Sequence, residues 1–315
     1  MKLKQLMSAI AIAVLVLNIP GFAQNASNAD KPFLGRWDLT LKASGKEYPS
    51  WIEISEDGGQ VKALMVGRWG SARSLPKIQI ENGVLTFVSP KEEEGSNHDL
   101  VFQGVLFGNL SGTTIGPDGT TWQWTGERSP ALVHKSPPKW GKPIQLFNGK
   151  DLTGWKMSKP GPPVWTVQNG TLIKPANGPE LTSDAKFQDF KLHIEFNCGK
   201  DANSGVYLRG RYEVQIETES EAEPPSHHTG GVYGFLATSP ELPRKPDTWQ
   251  TFDITLVGRR VTIVQNGQTI INNQEIPGIT GGAVDSHEAT PGPIYLQGSE
   301  KGQVAFRNIV ITPAE

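Results

Sequence analysis

The chain has 315 residues, with 30 Lys and Arg against 32 Asp and Glu, a formal net charge of −2 and one cysteine, Cys198. Nucleic-acid binders concentrate positive charge, so this balance argues against a nucleic-acid partner. A single thiol closes no internal disulfide, so stability must come from the packed core.

Met1 to Ala23 opens with Lys2 and Lys4, runs apolar from Ala9 to Leu17 and reaches Ala23 through Gly21-Phe22. That pattern predicts a cleaved secretory signal whose apolar run is too short for a membrane span, hence a secreted or periplasmic protein with no membrane partner after processing. Cleavage there leaves 28 basic residues against 32 acidic, a net charge of −4. Helical periodicity is nearly absent, and many short alternating runs are punctuated by Gly, Asn and Pro, which predicts an all-β chain. The length favours two domains.

From 31 to 128 the alternating runs Gly35 to Leu41, Trp51 to Ile54 and Val61 to Val66 lead into Ile78 to Ile80 and Val84 to Val88. Asn82-Gly83 marks a hairpin turn between the last two. Leu100 to Phe107 and Thr120 to Thr125 complete an antiparallel meander. The Gly35-x-Trp37 opening and Arg128 after the last strand resemble small lipocalin-like barrels, in which such an arginine stacks over the tryptophan. Trp37, Trp51, Trp69, Trp122 and Trp124 read chiefly as barrel filling, with a sugar-stacking platform as the other reading. An accessory role follows, either in binding ligand or in shaping one wall of the neighbouring cleft. The charge run Lys91-Glu92-Glu93-Glu94 reads as an exposed loop. Residues 129–143 hold four prolines and no period, as a semi-rigid linker would.

The second domain, 144–315, is organised around Asn203 to Glu217, NSGVYLRGRYEVQIE. Read as a strand, it sends Val206, Leu208, Val214 and Ile216, with Tyr212, to one face, and Tyr207, Arg209, Arg211, Glu213, Gln215 and Glu217 to the other. The first face suits a core; the second carries chemistry that could grip a polyol. Phe190 to Asn197 alternates likewise, with Lys191, His193, Glu195 and Asn197 polar, and its polar face is expected beside that of the organising strand. Further strands are expected at Gly231 to Phe235, Trp249 to Val257, Arg260 to Gln265, Pro293 to Gln297 and Val304 to Ile311. Together they suit a two-sheet antiparallel sandwich with an open concave face.

LFNGKDLTGW, W-x-V-x-NG-x-L, NSGVYLR, YEVQI, GGVYG, W-x-x-x-DI, GPIYLQ and VAFRNIVI follow one another in order over nearly all of 144–312. In these motifs the chain resembles the bacterial 3-keto-disaccharide hydrolase domain family. The resemblance implies a concanavalin A-like jelly-roll sandwich acting on glycosides whose C3 hydroxyl has been oxidised to a ketone. Family members often carry a histidine and glycine shortly after the Leu-Gln pair, whereas Gly298-Ser299-Glu300 follows Leu296-Gln297 here. His227-His228 could supply an imidazole instead.

A C3 ketone acidifies the C2 proton, so a base can remove it, the C1 oxygen can leave, and water can add back to complete a net hydrolysis. Such a site needs a base, a group for the developing enolate oxygen and an acid for the leaving group. Glu213 is the candidate base, Arg209 the enolate holder and His228 or His193 the acid. Gln215, Tyr207, Arg211, Glu195, His193, Tyr233 and Gln297 are the candidate substrate-binding residues. Two alternatives stay open. One is a retaining glycosidase using Glu213 and Glu217 in a laminarinase-like Glu-x-x-x-Glu, with Gln215 where that motif has Asp. The other is a non-catalytic carbohydrate-binding module. No His or Cys spacing suggests zinc, and the oxygen-rich turn Asn197 to Ser204 is a candidate calcium site. The partner expected throughout is a small oxidised carbohydrate.

Overall fold

The computed structural model describes residues 30–43, 45–159, 164–174, 178–217, 222–243, 245–298 and 302–315. The expected signal segment and the middle of the Glu217–Glu223 stretch lie outside these residues. Nine strands form the first sheet: β1 (Gly35–Ala43), β2 (Lys46–Asp57), β3 (Gln60–Val66), β4 (Arg73–Ser74), β5 (Lys77–Glu81), β6 (Val84–Ser89), β7 (Leu100–Phe107), β8 (Asn109–Ile115) and β9 (Thr121–Arg128). Their order is β4-β3-β2-β1-β9-β8-β7-β6-β5, an antiparallel half-barrel curled around its own side chains. Asn82 and Gly83 both take positive φ, 51° and 77°, the turn geometry that matches the twist of β5 and β6.

Trp37, Trp122 and Trp124 fill the half-barrel with Leu39, Ile52, Phe87 and Phe102. The Arg128 guanidinium lies 3.7 Å over the Trp37 ring and donates to the carbonyls of Pro32 and Leu34. Trp69 is 46 % exposed, with Arg68 stacked 3.9 Å over it. The run Lys91–Glu94 is a single helical turn rather than a solvated loop. Its Glu94 is buried because the carboxylate accepts from Arg73 at 2.8 Å and Ser89 at 2.7 Å, which offsets the cost of taking the charge out of water.

The second half is a sandwich. Its larger sheet is built from β10 (Ile144–Gln145), β12 (Thr166–Gln168), β13 (Thr171–Lys174), β15 (Phe190–Cys198), β18 (Gln250–Val257), β19 (Arg260–Gln265), β20 (Gln268–Glu275) and β22 (Val304–Pro313). The smaller comprises β11 (Trp155–Met157), β14 (Leu181–Phe187), β16 (Asn203–Leu208), β17 (Tyr212–Glu217) and β21 (Gly292–Gln297), in the order β11-β14-β21-β16-β17. Phe190, Leu192, Ile194 and Phe196 of β15 share one buried cluster with Val206, Leu208, Val214 and Ile216 of β16 and β17. Each such side chain contributes roughly 1.5–3 kcal/mol by leaving water. Trp51 and Val66, a cross-strand pair on the outer face of β2 and β3, belong to this second core. The half-barrel therefore docks on the sandwich through the outer face of β1 to β3.

That docking face is partly ionic. Arg36 of β1 donates to Glu275 at 2.7 Å, and Thr40 bonds Ser286. Asp38 lies beside Glu288, accepts from the Ser129 hydroxyl and is countered by Arg259. Burial, then the Glu288 carboxylate, pushes the Asp38 carboxyl up to about 8. A raised carboxyl stabilises the fold fully below its unfolded pKa, and that stability is lost as pH rises through about 8. Asp38→Asn is therefore expected to lose less Tm than the wild type between about pH 6 and about pH 9, as read by calorimetry.

Candidate active site

The organising stretch is a hairpin, not one strand. Arg209 and Gly210 take positive φ, 53° and 66°, and the chain turns over 209–211, so β16 and β17 pair antiparallel. The side-chain parity of β16 and β17 survives the turn. On the outer face of the smaller sheet, Tyr295, Tyr207 and Glu213 form one row across β21, β16 and β17, and Gln297, Gly205 and Gln215 form the next.

The Tyr207 hydroxyl donates to Glu213 Oε2 at 2.8 Å and lies 2.9 Å from the Gly281 carbonyl. Its one proton serves one acceptor at a time. When Glu213 is protonated, it can donate to Tyr207 while Tyr207 donates to Gly281. Burial pushes the Glu213 carboxyl up to about 8, against the lowering effect of the Tyr207 hydrogen bond. A Cβ at residue 205 would stand 2.4 Å from Glu213 Oε1, so the carboxyl occupies the space that a glycine leaves open. Tyr295 packs edge-on to Tyr207 at 4.6 Å. Tyr233 is pushed up to about 12 by burial, then by Glu213 and Glu223. Tyr295 is pushed up further by burial, then by Glu180 and Glu213. Both phenols therefore stay protonated at working pH and can only donate or share a proton, not carry charge.

The Oε1 atoms of Gln215 and Gln297, on either side of Gly205, are buried and have no hydrogen-bond partner among the described residues. Buried amide carbonyls without donors cost free energy, and ligand hydroxyls would satisfy them. β17 is the edge strand, and two loops cover its free edge. Glu213 N donates to Thr280 Oγ1 at 3.0 Å, and Tyr233 N donates to Glu213 O at 3.0 Å. Residues 231–235, expected as a strand, are this covering loop, which pairs with β17 around Val214 and Val232 through Gln215 N to Gly231 O at 2.9 Å and Tyr233 N to Glu213 O.

Several expected members lie elsewhere. Arg209 is buried within the turn and donates to Tyr212 Oη at 2.9 Å and the Gly258 carbonyl at 2.6 Å. Its left-handed conformation takes it off the alternation, so it faces a buried network in which Tyr212 bonds Glu288 and Arg259 donates to Glu288. Arg211 is likewise engaged, donating to Asp285 at 2.6 Å and to Thr290. His193 and Glu195 sit on β15, between β22 and β18 of the other sheet. Because the apolar faces of the two sheets meet, these polar faces point away from one another instead of lying side by side. His193 bonds Asp253 at 2.7 Å, and Glu195 accepts from Arg307 at 2.6 Å. The His228 ring nitrogens lie 3.0 Å from the Glu223 carbonyl and 2.8 Å from Glu241, which fixes the imidazole to its own loop. At the Asn197–Ser204 turn, and among the described residues generally, no group of three or more His, Cys, Asp or Glu is gathered for a metal.

Tyr295, Gly205, Thr280 and Gly281 escaped the sequence reading. Tyr295 was within reach of it, two residues before Gln297 on the same strand face. Thr280 and Gly281 carry no local signal, because only the fold brings their loop to β17.

The model of the 3-keto-alpha-glucoside-1,2-lyase-like domain matches residues 142–312. The chain belongs to this family. The 3-keto-glucoside lyase-like domain is thus the carbohydrate-active sandwich, and the half-barrel lies outside the match. Among solved structures, the chain is similar to two candidate glycosyl hydrolases from Parabacteroides distasonis. One is 20 % identical, with 55 % of this chain and 94 % of that one covered and a TM-score of 0.46. The other is 29 % identical, with 57 % and 92 % covered and a TM-score of 0.45. A carbohydrate-binding module from Bacillus subtilis is 12 % identical, with 50 % and 95 % covered and a TM-score of 0.36. No curated protein matches the chain.

Proposed function

We propose that the 3-keto-glucoside lyase-like domain cleaves 3-keto-glycosides by removing the C2 proton and expelling the C1 substituent. The observation that carries this reading is the environment of Glu213: a buried carboxyl with one side-chain donor, Tyr207, among neutral phenols and unsatisfied amides. A carboxylate that resists ionisation is a stronger base when ionised, and a C–H bond next to a ketone is an appropriate substrate for it. Glu213 takes the C2 proton, and the electron pair moves into the C2–C3 bond to leave an enolate at O3. Tyr295 and Tyr233 are the neutral donors for the enolate and the departing oxygen, and Gln215 and Gln297 accept from sugar hydroxyls. Collapse of the enolate breaks the C1–O bond, and the departing oxygen takes up the proton that Glu213 removed from C2. The products are a 1,2-unsaturated 3-ketone and the free aglycone, with Glu213 again ionised. Addition of water, hydroxyl to C1 and proton to C2, completes a net hydrolysis. A secreted or periplasmic location belongs to the same proposal.

The retaining alternative fares worse. Glu213 and Glu217 stand four residues apart on β17, roughly 13 Å at ~3.3 Å per residue, whereas a retaining pair needs ~5–5.5 Å.

The test is incubation with 3-keto-trehalose beside unoxidised trehalose in heavy-water buffer. Cleavage of the keto form alone, with deuterium at C2 and a rate that climbs as pH rises towards about 8, is the expected result. Cleavage of trehalose itself would support a glycosidase dyad. Inertness towards both, with measurable binding, would make the domain a binding module.

A further inference from the structure

We propose that the N-terminal half-barrel is a working part of the active site, with Trp51 as the positioning residue that presses both covering loops onto Glu213. This rests on the reading of Glu213 as the base. The backbone N–H and C=O of Glu213 are held from outside the sheet, by Thr280 and by Tyr233 respectively. Each belongs to a loop that the half-barrel touches too closely for any side chain to intervene.

On the Thr280 loop, a Cβ at residue 278 would stand 2.2 Å from Trp51 Nε1, and one at residue 281 would stand 2.1 Å from the Gly70 carbonyl. On the Tyr233 loop, a Cβ at residue 234 would stand 2.7 Å from Ser71, while Phe235 meets the Trp51 ring edge-on at 5.5 Å. Glycines at 234, 278 and 281 are thus the seats of the half-barrel, and Trp51 touches both loops. Gly281 also supplies the carbonyl that faces the Tyr207 hydroxyl, so pressure from the Trp69–Gly70 backbone reaches the carboxyl through two residues, Gly281 and Tyr207. The Arg36 to Glu275 and Thr40 to Ser286 contacts hold the same loop at its start and again beyond Gly281.

These contacts do more than glue two domains. By closing both loops over β17 they exclude water from Glu213, and burial is what lifts its carboxyl to about 8. Loosening the half-barrel should therefore change the titration of a residue on β17 of the other domain. A merely structural contact would lower thermal stability and leave the pH profile where it was.

The experiment compares full-length wild type, Trp51→Ala, Trp51→Phe and Leu64→Ala on 3-keto-trehalose across pH. Leu64 packs on the second core from the same sheet face and is the milder variant should Trp51→Ala fail to fold. In Trp51→Ala we expect kcat to fall about tenfold or more and the acidic limb to move down by about one pH unit or more. Leu64→Ala should shift the limb in the same direction by less, and Trp51→Phe should restore most of both. An unchanged limb and kcat in folded variants with lowered Tm would overturn the proposal. If wild type does not turn over the keto sugar, the proposed function fails by itself. The infrared carboxyl band that disappears in Glu213→Gln then decides the inference. A lower titration midpoint in Trp51→Ala or Leu64→Ala supports it, and an unchanged midpoint overturns it.

Discussion

Glu213→Gln is expected to lower kcat/KM on 3-keto-glycosides by about 10²- to 10⁴-fold while leaving the protein folded. The amide keeps the size of the carboxyl and can accept from Tyr207, so the packing over Gly205 is preserved. It cannot take a proton from carbon. Its effect on stability runs the opposite way. The Glu213 carboxyl is raised by burial, so its contribution to stability is present in full below the ordinary carboxylate range and is lost as pH rises through about 8. Above that pH the wild type carries an ionised carboxylate in a buried site, at a cost on the order of a few kcal/mol. Glu213→Gln carries none. Calorimetry should therefore find the variant gaining on the wild type in Tm as pH increases. Equal turnover in the two proteins would eliminate Glu213 as the base, whatever the stability data show.

Gly205→Ala is the second large effect. The added methyl would stand 2.4 Å from Glu213 Oε1 and 2.8 Å from its Cγ, both inside van der Waals contact. The carboxyl has little room to yield, because Tyr207 holds its other oxygen and the covering loops fix the backbone on both sides. A displaced base misses the C2 proton, and a loss of about a hundredfold in kcat/KM is expected, ~2.7 kcal/mol of transition-state stabilisation. KM should change less than kcat, since Gln215 and Gln297 keep their places. Adding Gly205→Ala to Glu213→Gln should cost little more than Glu213→Gln alone, because both act on one carboxyl. Additive losses would mean that Gly205 matters for another reason, such as strand twist.

Much of this was legible residue by residue. Alternation in β16 and β17 assigned Val206, Val214 and Ile216 to the core and Tyr207, Glu213 and Gln215 to the site face, because a pleated strand sends neighbours to opposite sides. Asn-Gly pairs marked tight turns since few other dipeptides accept two successive positive φ angles. Leu208-Arg209-Gly210-Arg211-Tyr212 misled for the same local reason. It alternates like a strand, and a lone glycine does not announce a three-residue turn. With the turn in place, Arg209 leaves the site face for the Tyr212 and Glu288 network, and the proposed enolate loses its expected guanidinium.

The sequence by itself determined the all-β class and the side-chain parity within β15, β16 and β17, and put forward the carboxyl at the centre of the proposed site, because these depend on backbone geometry within a few residues. Only the tertiary structure decided which sheet each strand joins, and so removed His193 and Glu195 to the far face of the sandwich. It alone brought Tyr295, Thr280 and Gly281 to Glu213 and seated Trp51 of the first domain in the core of the second. Pairing between distant segments is settled by where the apolar faces of whole sheets can be buried together, and no short stretch of chain carries that information.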